Sequence, residues 1–167
     1  MDENKTTEIL KNAILLEKRG HAFYSKVAEQ AEDQAVKEFF QMMADEESKH
    51  IQILSDQFKA FQAQNKFGPA DYREEQGSEI PSKILTDDVK QAISAAAFEA
   101  AAISAAMSME KNAIRLYADR AKTAEDPKEA ALYGWLAKWE TTHLDFLSEI
   151  DRELTEQIWY DNQFWPF

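Results

Sequence analysis

Apolar side chains recur every three or four positions along the first part of the chain, which is the pattern of amphipathic helices. We expect a first helix that Thr6 or Thr7 caps and that ends in a turn at residues 31–33. Asp33 is a good N-cap for a second helix, which continues to about Asn65. The apolar faces carry Leu10, Ala13, Ile14, Tyr24, Val27 and Ala31 on the first helix and Phe39, Phe40, Met43 and Leu54 on the second. Residues 7–65 are therefore predicted to form a helical hairpin.

A second hairpin is predicted over residues 87–159. Its third helix begins near residue 87, and a break between a short helix near 88–96 and the main helix is an open alternative. Asp126 caps the fourth helix, because Pro127 then takes the first helical position, where proline is favoured. This fourth helix is expected to extend to about Trp159.

The two hairpins are joined by residues 66–86, which contain two glycines and two prolines. About 20 extended residues span roughly 60 Å, enough to recross a bundle about 45 Å long. The third helix would then run parallel to the second, in up-down-down-up order with one long crossover. We therefore predict an all-α four-helix bundle in a single domain, 1–167. Its aromatic tail at 160–167 is expected to dock on the bundle or on a partner subunit.

One Glu…Glu-x-x-His unit occurs in each hairpin. The first consists of Glu17, Glu47 and His50, and the second of Glu110, Glu140 and His143, each residue 93 positions after its counterpart. A single Glu-x-x-His is a weak motif. Two copies with matched spacing, which use two of the three histidines, indicate that one helical hairpin was duplicated within the chain.

The spacing places the carboxylates of these units at one level of the bundle. Glu17 lies 16 residues before Asp33 and Glu47 lies 14 after it, so both are roughly 21–24 Å from the turn. Carboxylates that converge in an apolar interior must be protonated or neutralised by cations. Two divalent ions would cancel four carboxylate charges, and oxygen with imidazole ligands suits iron or manganese. The alternative for each residue is an exposed helix charge or a satisfied core histidine.

The composition narrows the classes of function. A net charge of −12 disfavours nucleic acid and anionic membranes as partners. The lack of cysteine excludes disulfides and thiolate metal sites within this chain. The first residues lack the basic and apolar regions of a secretory signal, and no apolar run approaches a membrane span. We therefore expect a cytoplasmic protein.

Further residues near the two units have candidate roles. Tyr24 and Tyr117 each follow a glutamate of a unit by two helical turns, where a phenol could hydrogen-bond a carboxylate or act as a local redox group. The alternative is an amphipathic core tyrosine. Gly20 would leave room beside the site, and His21 is expected at the surface or outside the ligand set, because the repeat has isoleucine there. Glu46 could orient a histidine of the opposite hairpin, although the repeat has a tryptophan there.

The paired units resemble the di-iron carboxylate site of the ferritin-like superfamily, which takes a Glu from each of two helices and a Glu-x-x-His from each of the other two. The flanking segments most resemble the di-iron domain of rubrerythrins; they are Leu15–Lys18, Phe23–Tyr24, Met109–Lys111 and Leu116–Tyr117. The likeness covers about residues 7–157. It implies a ferritin-like fold with two iron ions, bridging ligands Glu47 and Glu140, terminal ligands Glu17 and Glu110, and one of His50 and His143 on each metal.

Three departures from that pattern bear on the activity. No cysteine-rich rubredoxin module is present in these residues, so electrons would come from a separate donor such as a rubredoxin-type carrier. Ala113 stands where rubrerythrins carry a further carboxylate, which makes the six-ligand set closer to that of bacterioferritin. Ser48 stands where the haem methionine of bacterioferritin would lie, so no haem is implied.

The resemblance implies a rubrerythrin-like peroxidase that reduces hydrogen peroxide or dioxygen in a response to oxidative stress. Tyr24 and Tyr117 would be its catalytic side chains beside the metals, and a homodimer is expected. Three alternatives stay open: an iron-binding or storage protein without catalysis, a dimanganese catalase-like enzyme, and a metal-free helical interaction module.

Overall fold

The computed structural model describes residues 3–69, 93 and 97–161. Its four long helices are α1 (Glu3–Gln30), α2 (Gln34–Gln64), α3 (Ala97–Thr123) and α4 (Pro127–Asp161). The all-α prediction is confirmed, because the described residues form helices and short turns only. None of these helices is both long enough and apolar enough to cross a membrane.

The boundaries of the first hairpin agree with the prediction except at its start. Helix α1 begins at Glu3 rather than after a cap at Thr6 or Thr7, since Thr6 is buried inside the helix and an acidic first residue favours the helix dipole. Asp33 caps α2 as predicted, and its Oδ1 accepts hydrogen bonds from the backbone N–H groups of residues 35 and 36 at 2.9 and 3.0 Å. Asn65 ends α2 in the left-handed conformation with φ 52°, a common way to close a helix.

The second hairpin also forms where it was predicted. Pro127 takes the first position of α4, and Asp126 accepts the backbone N–H of Lys128 at 2.8 Å. Helix α4 continues to Asp161, two residues past the predicted end. Most of the predicted crossover (66–86), the start of the third helix with its alternative break near 88–96, and the tail from 162 onward lie outside the described residues.

The directions of the helices follow from side-chain contacts between the hairpins. Helix α1 packs along α2, and α3 packs along α4. The hydroxyl of Tyr24 donates to Glu110, and the hydroxyl of Tyr117 donates to Glu17. In each helix the tyrosine follows the glutamate by seven residues, and each tyrosine bonds the glutamate of the other helix. The chains of α1 and α3 must therefore run in opposite directions. Helices α2 and α3 are therefore parallel, which is the predicted up-down-down-up order.

Two apolar clusters fill the bundle on either side of the six predicted ligands. The first includes Phe39, Phe40, Met43, Ile103, Leu147 and Ile150. The second includes Leu10, Leu54, Phe61, Leu132, Tyr133 and Leu136. The duplication is visible in this packing, because Tyr24 stacks on Phe40 at 27° and its counterpart Tyr117 stacks on Tyr133 at 28°. The six glutamate and histidine side chains thus form a polar layer between two apolar clusters.

The cap on α2 can be tested by removing its side chain. We expect Asp33→Ala to lower the free energy of unfolding by about 1 kcal/mol, since two backbone N–H groups lose their acceptor. Urea unfolding followed by circular dichroism measures the change. Glu32→Ala, at an exposed neighbouring position, is the matched control, and an equal loss of stability in both variants would contradict this role of Asp33.

Candidate metal centre

All six residues of the two Glu…Glu-x-x-His units lie in the interior between the hairpins. Each of the four helices supplies at least one of them, and none is more than 3% exposed. Helix α1 supplies Glu17, α2 supplies Glu47 and His50, α3 supplies Glu110, and α4 supplies Glu140 and His143. Four carboxyl groups and two imidazoles therefore meet where no solvent screens them.

These six side chains form two overlapping sets of candidate ligands. The sets are Glu17, Glu47, His50 and Glu140, and Glu47, Glu110, Glu140 and His143. Within each set, one donor atom from every residue lies within 4.8 Å of the others. Glu47 and Glu140 belong to both sets, so each has a carboxylate placed to serve two neighbouring positions.

Both histidines turn Nδ1 toward the carboxylates. His50 Nδ1 lies 2.9 Å from a Glu140 oxygen and 3.2 Å from a Glu17 oxygen. His143 Nδ1 lies 3.0 Å from the other Glu140 oxygen. The two imidazole rings stack with centroids 5.8 Å apart. Each Nδ1 lies close to a different oxygen of Glu140, so this carboxylate is shared between the two histidines. Nδ1 is therefore the nitrogen that each histidine offers to the site.

The electrostatics of the cluster show how costly its negative charge is. Burial raises the pKa of Glu47 and Glu110 well above the usual value, and the nearby Glu140 carboxylate raises both further. Burial opposes charge on His50, but the carboxylates around it, Glu140 foremost, raise its pKa well above the usual value. Burial also opposes charge on Glu140, yet the positive charge on His50 keeps its pKa well below the usual value. Without metal, protons on Glu47 and Glu110 and an ion pair between His50 and Glu140 therefore reduce the negative charge of the cluster.

The donor set fits metal ions. Among the described residues, the polar atoms closest to the buried oxygens of Glu140 and to the buried Nδ1 of His143 are those of the other candidate ligands. These buried atoms form no well-aligned hydrogen bond, and a cation between them would satisfy them. Carboxylate and imidazole donors, with no thiolate, suit iron or manganese. The geometry thus indicates a metal site, as the spacing of the motifs predicted.

The two tyrosines hold the outer glutamates of the site from across the bundle. Tyr24 of the first hairpin donates to Glu110 of the second, and Tyr117 of the second donates to Glu17 of the first. Burial, followed by the charge of the bonded carboxylate, raises the pKa of both phenols well above the usual value. The phenols therefore stay protonated and act as donors that orient two candidate ligands.

Gly20 faces the carboxylate of Glu47. A Cβ at this position would lie 3.1 Å from Glu47 Cδ and 3.2 Å from its Oε1, which is tighter than ordinary packing. A cavity of about 20 Å³ lies here beside the four glutamates, lined by Gly20, its counterpart Ala113, Leu16 and Met109. That volume is about what one water molecule needs. The expectation that Gly20 leaves room beside the site is confirmed.

The prediction that Glu46 could orient a histidine of the opposite hairpin was wrong, because its partner in that hairpin is Trp139. The hydrogen-bond partners of its carboxylate are not histidines: Oε2 of Glu46 accepts a hydrogen bond from the indole N–H of Trp139 at 2.9 Å, and its Oε1 accepts one from the Lys49 ammonium at 2.8 Å. Trp139 in turn meets the edge of His50, with ring centroids 5.3 Å apart. The signal that was missed is that Glu46 and Trp139 are counterparts in the duplicated hairpin and therefore face each other. His21 belongs to neither ligand set, as expected.

Comparison with known proteins agrees with this geometry. A family model described as rubrerythrin matches residues 8–150, a range that includes all six candidate ligands. No curated protein and no solved structure gives a significant match.

The charge balance predicts how the metal-free protein responds to pH. Glu47, Glu110 and His50 have raised pKa values in the fold, so the folded state binds more protons than the unfolded state above the usual pKa of each group. The free energy of unfolding should therefore fall as pH rises through the neutral range. The depressed pKa of Glu140 acts in the opposite sense as pH falls below its usual value of about 4.5, which lies under the neutral range.

Urea unfolding of chelator-treated protein between about pH 5.5 and about pH 8 measures this slope. The double variant Glu47→Gln/Glu110→Gln removes two of the three raised groups, so it should flatten the slope. A free energy of unfolding that rises with pH in the unaltered metal-free protein would contradict the protonated state of the cluster.

Proposed function

The chain belongs to the rubrerythrin family, and on this premise we propose that it is a di-iron oxidoreductase that reduces hydrogen peroxide or dioxygen with electrons from a separate donor. The observation that supports this proposal is the overlap of the two ligand sets in Glu47 and Glu140. Two sets that share two carboxylates suit a pair of adjacent ions rather than two independent sites.

Each proposed ion has its own terminal ligands. One would be held by Glu17 and His50 and the other by Glu110 and His143, with Glu47 and Glu140 shared between them. Two iron ions held by these residues would supply the electrons for reduction of an oxidant. The 167 residues contain no cysteine that could hold a rubredoxin-type centre, so a separate one-electron carrier is proposed as the donor.

The protein's own residues prepare the site for this chemistry. The hydroxyls of Tyr24 and Tyr117 fix the carboxylates of Glu110 and Glu17. The apolar clusters above and below exclude water, which strengthens every charge interaction between them. The small cavity beside Gly20 and Ala113 leaves space for a ligand of one or two heavy atoms next to the carboxylates. A small oxidant is therefore the substrate that the site fits.

The assignment of shared ligands is tested with Glu47→Ala. We expect this variant to lose most of its bound metal, because the substitution removes one of the two carboxylates common to both sets. Elemental analysis of protein produced in iron- or manganese-supplemented medium measures the content and identifies the metal. Glu38→Ala, at an exposed position of the same helix, is the matched control. Full retention of two metal ions per chain in Glu47→Ala would contradict the assignment of Glu47 as a shared ligand.

The oxidant is tested by the kinetics of oxidation. We expect hydrogen peroxide to oxidise the diferrous protein faster than dioxygen does, as the rubrerythrin family suggests. Stopped-flow absorbance gives both rates on the same preparation. Faster oxidation by dioxygen would instead favour ferroxidase or storage activity. Peroxide consumption that needs no added reductant would favour a catalase.

A further inference from the structure

The small cavity beside the four glutamates lies where the two hairpins meet. Its lining consists of four pairs of counterparts, and the members of each pair are 93 positions apart. The pairs are Leu16 and Met109, Glu17 and Glu110, Gly20 and Ala113, and Glu47 and Glu140. Both sets of candidate ligands contribute carboxylates to this lining, and neither histidine does. A molecule in the cavity would therefore lie next to both candidate metal positions.

The cavity exists because one of these pairs is small. Gly20 has no side chain, and a Cβ there would lie 3.1 Å from Cδ of Glu47. Its counterpart Ala113 carries a single methyl group and is 6% exposed. A longer side chain at either position would fill the volume of about 20 Å³. Room for a small molecule next to the carboxylates is thus set by these two residues.

Only one of the four pairs reaches the surface. The four glutamates, Gly20 and Ala113 are all buried. Leu16 of α1 and Met109 of α3 are the two lining residues that are partly exposed. A molecule that moves between solvent and the cavity must therefore pass these two side chains.

A depression of about 350 Å³ lies on the surface outside this pair. It is lined by Leu16, Asn112, Arg115, Leu116 and Asp119, and the last four of these are exposed. Leu16 lines both the depression and the cavity, so its side chain separates the two spaces. Partly exposed leucine and methionine side chains change rotamer readily, and methionine has three rotatable side-chain bonds. Rotation of these side chains can open a passage without movement of the helices.

From this arrangement we propose that Leu16 and Met109 form a gate through which the oxidant enters, and that the gate admits hydrogen peroxide but excludes bulky organic hydroperoxides. The proposal rests on the proposed function, because it gives the entry path and the size limit of the oxidant. Hydrogen peroxide has two heavy atoms and can pass when one side chain rotates. An aryl hydroperoxide needs the space that both side chains occupy.

The first test measures the size limit on iron-loaded, diferrous protein. Stopped-flow absorbance gives the rates of oxidation by hydrogen peroxide and by cumene hydroperoxide. We expect Leu16→Ala/Met109→Ala to raise the ratio of the cumene hydroperoxide rate to the hydrogen peroxide rate about tenfold, because the wider opening admits the aryl group. Leu15→Ala is the matched control, since Leu15 is 52% exposed and does not line the cavity. It should leave the ratio within about twofold.

The second test uses chelator-treated protein, so it does not depend on iron. The chain contains no cysteine, and Ala113→Cys therefore places a single thiol in the wall of the cavity. Intact-mass spectrometry follows its reaction with methyl methanethiosulfonate, which is small, and with N-ethylmaleimide, which is larger. The ratio of the two rate constants cancels the intrinsic reactivity of the thiol.

In the Ala113→Cys background, we expect Leu16→Ala/Met109→Ala to raise the ratio of the maleimide rate to the methanethiosulfonate rate about tenfold. Leu15→Ala should leave that ratio within about twofold. Circular dichroism checks that all variants are equally folded, so that a change in the ratio reports the opening and not a loss of structure.

The outcomes separate the gate from the proposed function. An unchanged hydroperoxide ratio in Leu16→Ala/Met109→Ala, at equal iron content, would overturn the gate and leave the di-iron function standing. Equal thiol ratios in the Leu16→Ala/Met109→Ala and Leu15→Ala variants would also overturn it. If the protein bound no iron, the proposed function would fail, and the thiol experiment would still decide whether Leu16 and Met109 control entry to the cavity.

Discussion

The structure depends on keeping four carboxyl groups and two imidazoles together in a dry interior. An ionised carboxylate buried alone costs several kcal/mol, and like charges side by side raise that cost. When no metal is bound, protons on Glu47 and Glu110 and an ion pair between His50 and Glu140 lower this electrostatic energy. Metal ions can replace those protons. Metal binding and the stability of the fold are therefore coupled through the same six side chains.

The up-down-down-up order of the helices determines which side chains of the two hairpins meet at this site. Because α1 and α3 are antiparallel, Tyr24 and Tyr117 each arrive level with the glutamate of the other hairpin. In an up-down-up-down bundle, α1 and α3 would be parallel, and each tyrosine would lie about 10 Å along the axis from that glutamate, seven residues away. The antiparallel course of α1 and α3 thus allows the tyrosine hydrogen bonds that orient Glu17 and Glu110, and these bonds also tie the two hairpins together.

The sequence predicted the parts of the molecule that follow from local periodicity and from repeated spacing. Asp33 and Pro127 marked helix starts because capping is a local property, and matched offsets showed which side chains are level. Contacts between hairpins are different, because they depend on how far two helices are rotated toward each other. The spacing placed Tyr24 near a glutamate but did not show that its partner would be Glu110 of the other hairpin. The same limit explains why Glu46 was matched with a histidine instead of Trp139.

The two halves of the duplication share a site but have diverged around it. Val27 and Val36 of the first hairpin belong to one apolar cluster, whereas their counterparts Arg120 and Glu129 form a partly buried ion pair at 2.6 Å. Glu46 and Trp139 also differ in type, and they now bind each other across the bundle. The two hairpins therefore supply matched candidate ligands to one centre, while the residues packed around those ligands differ between the halves.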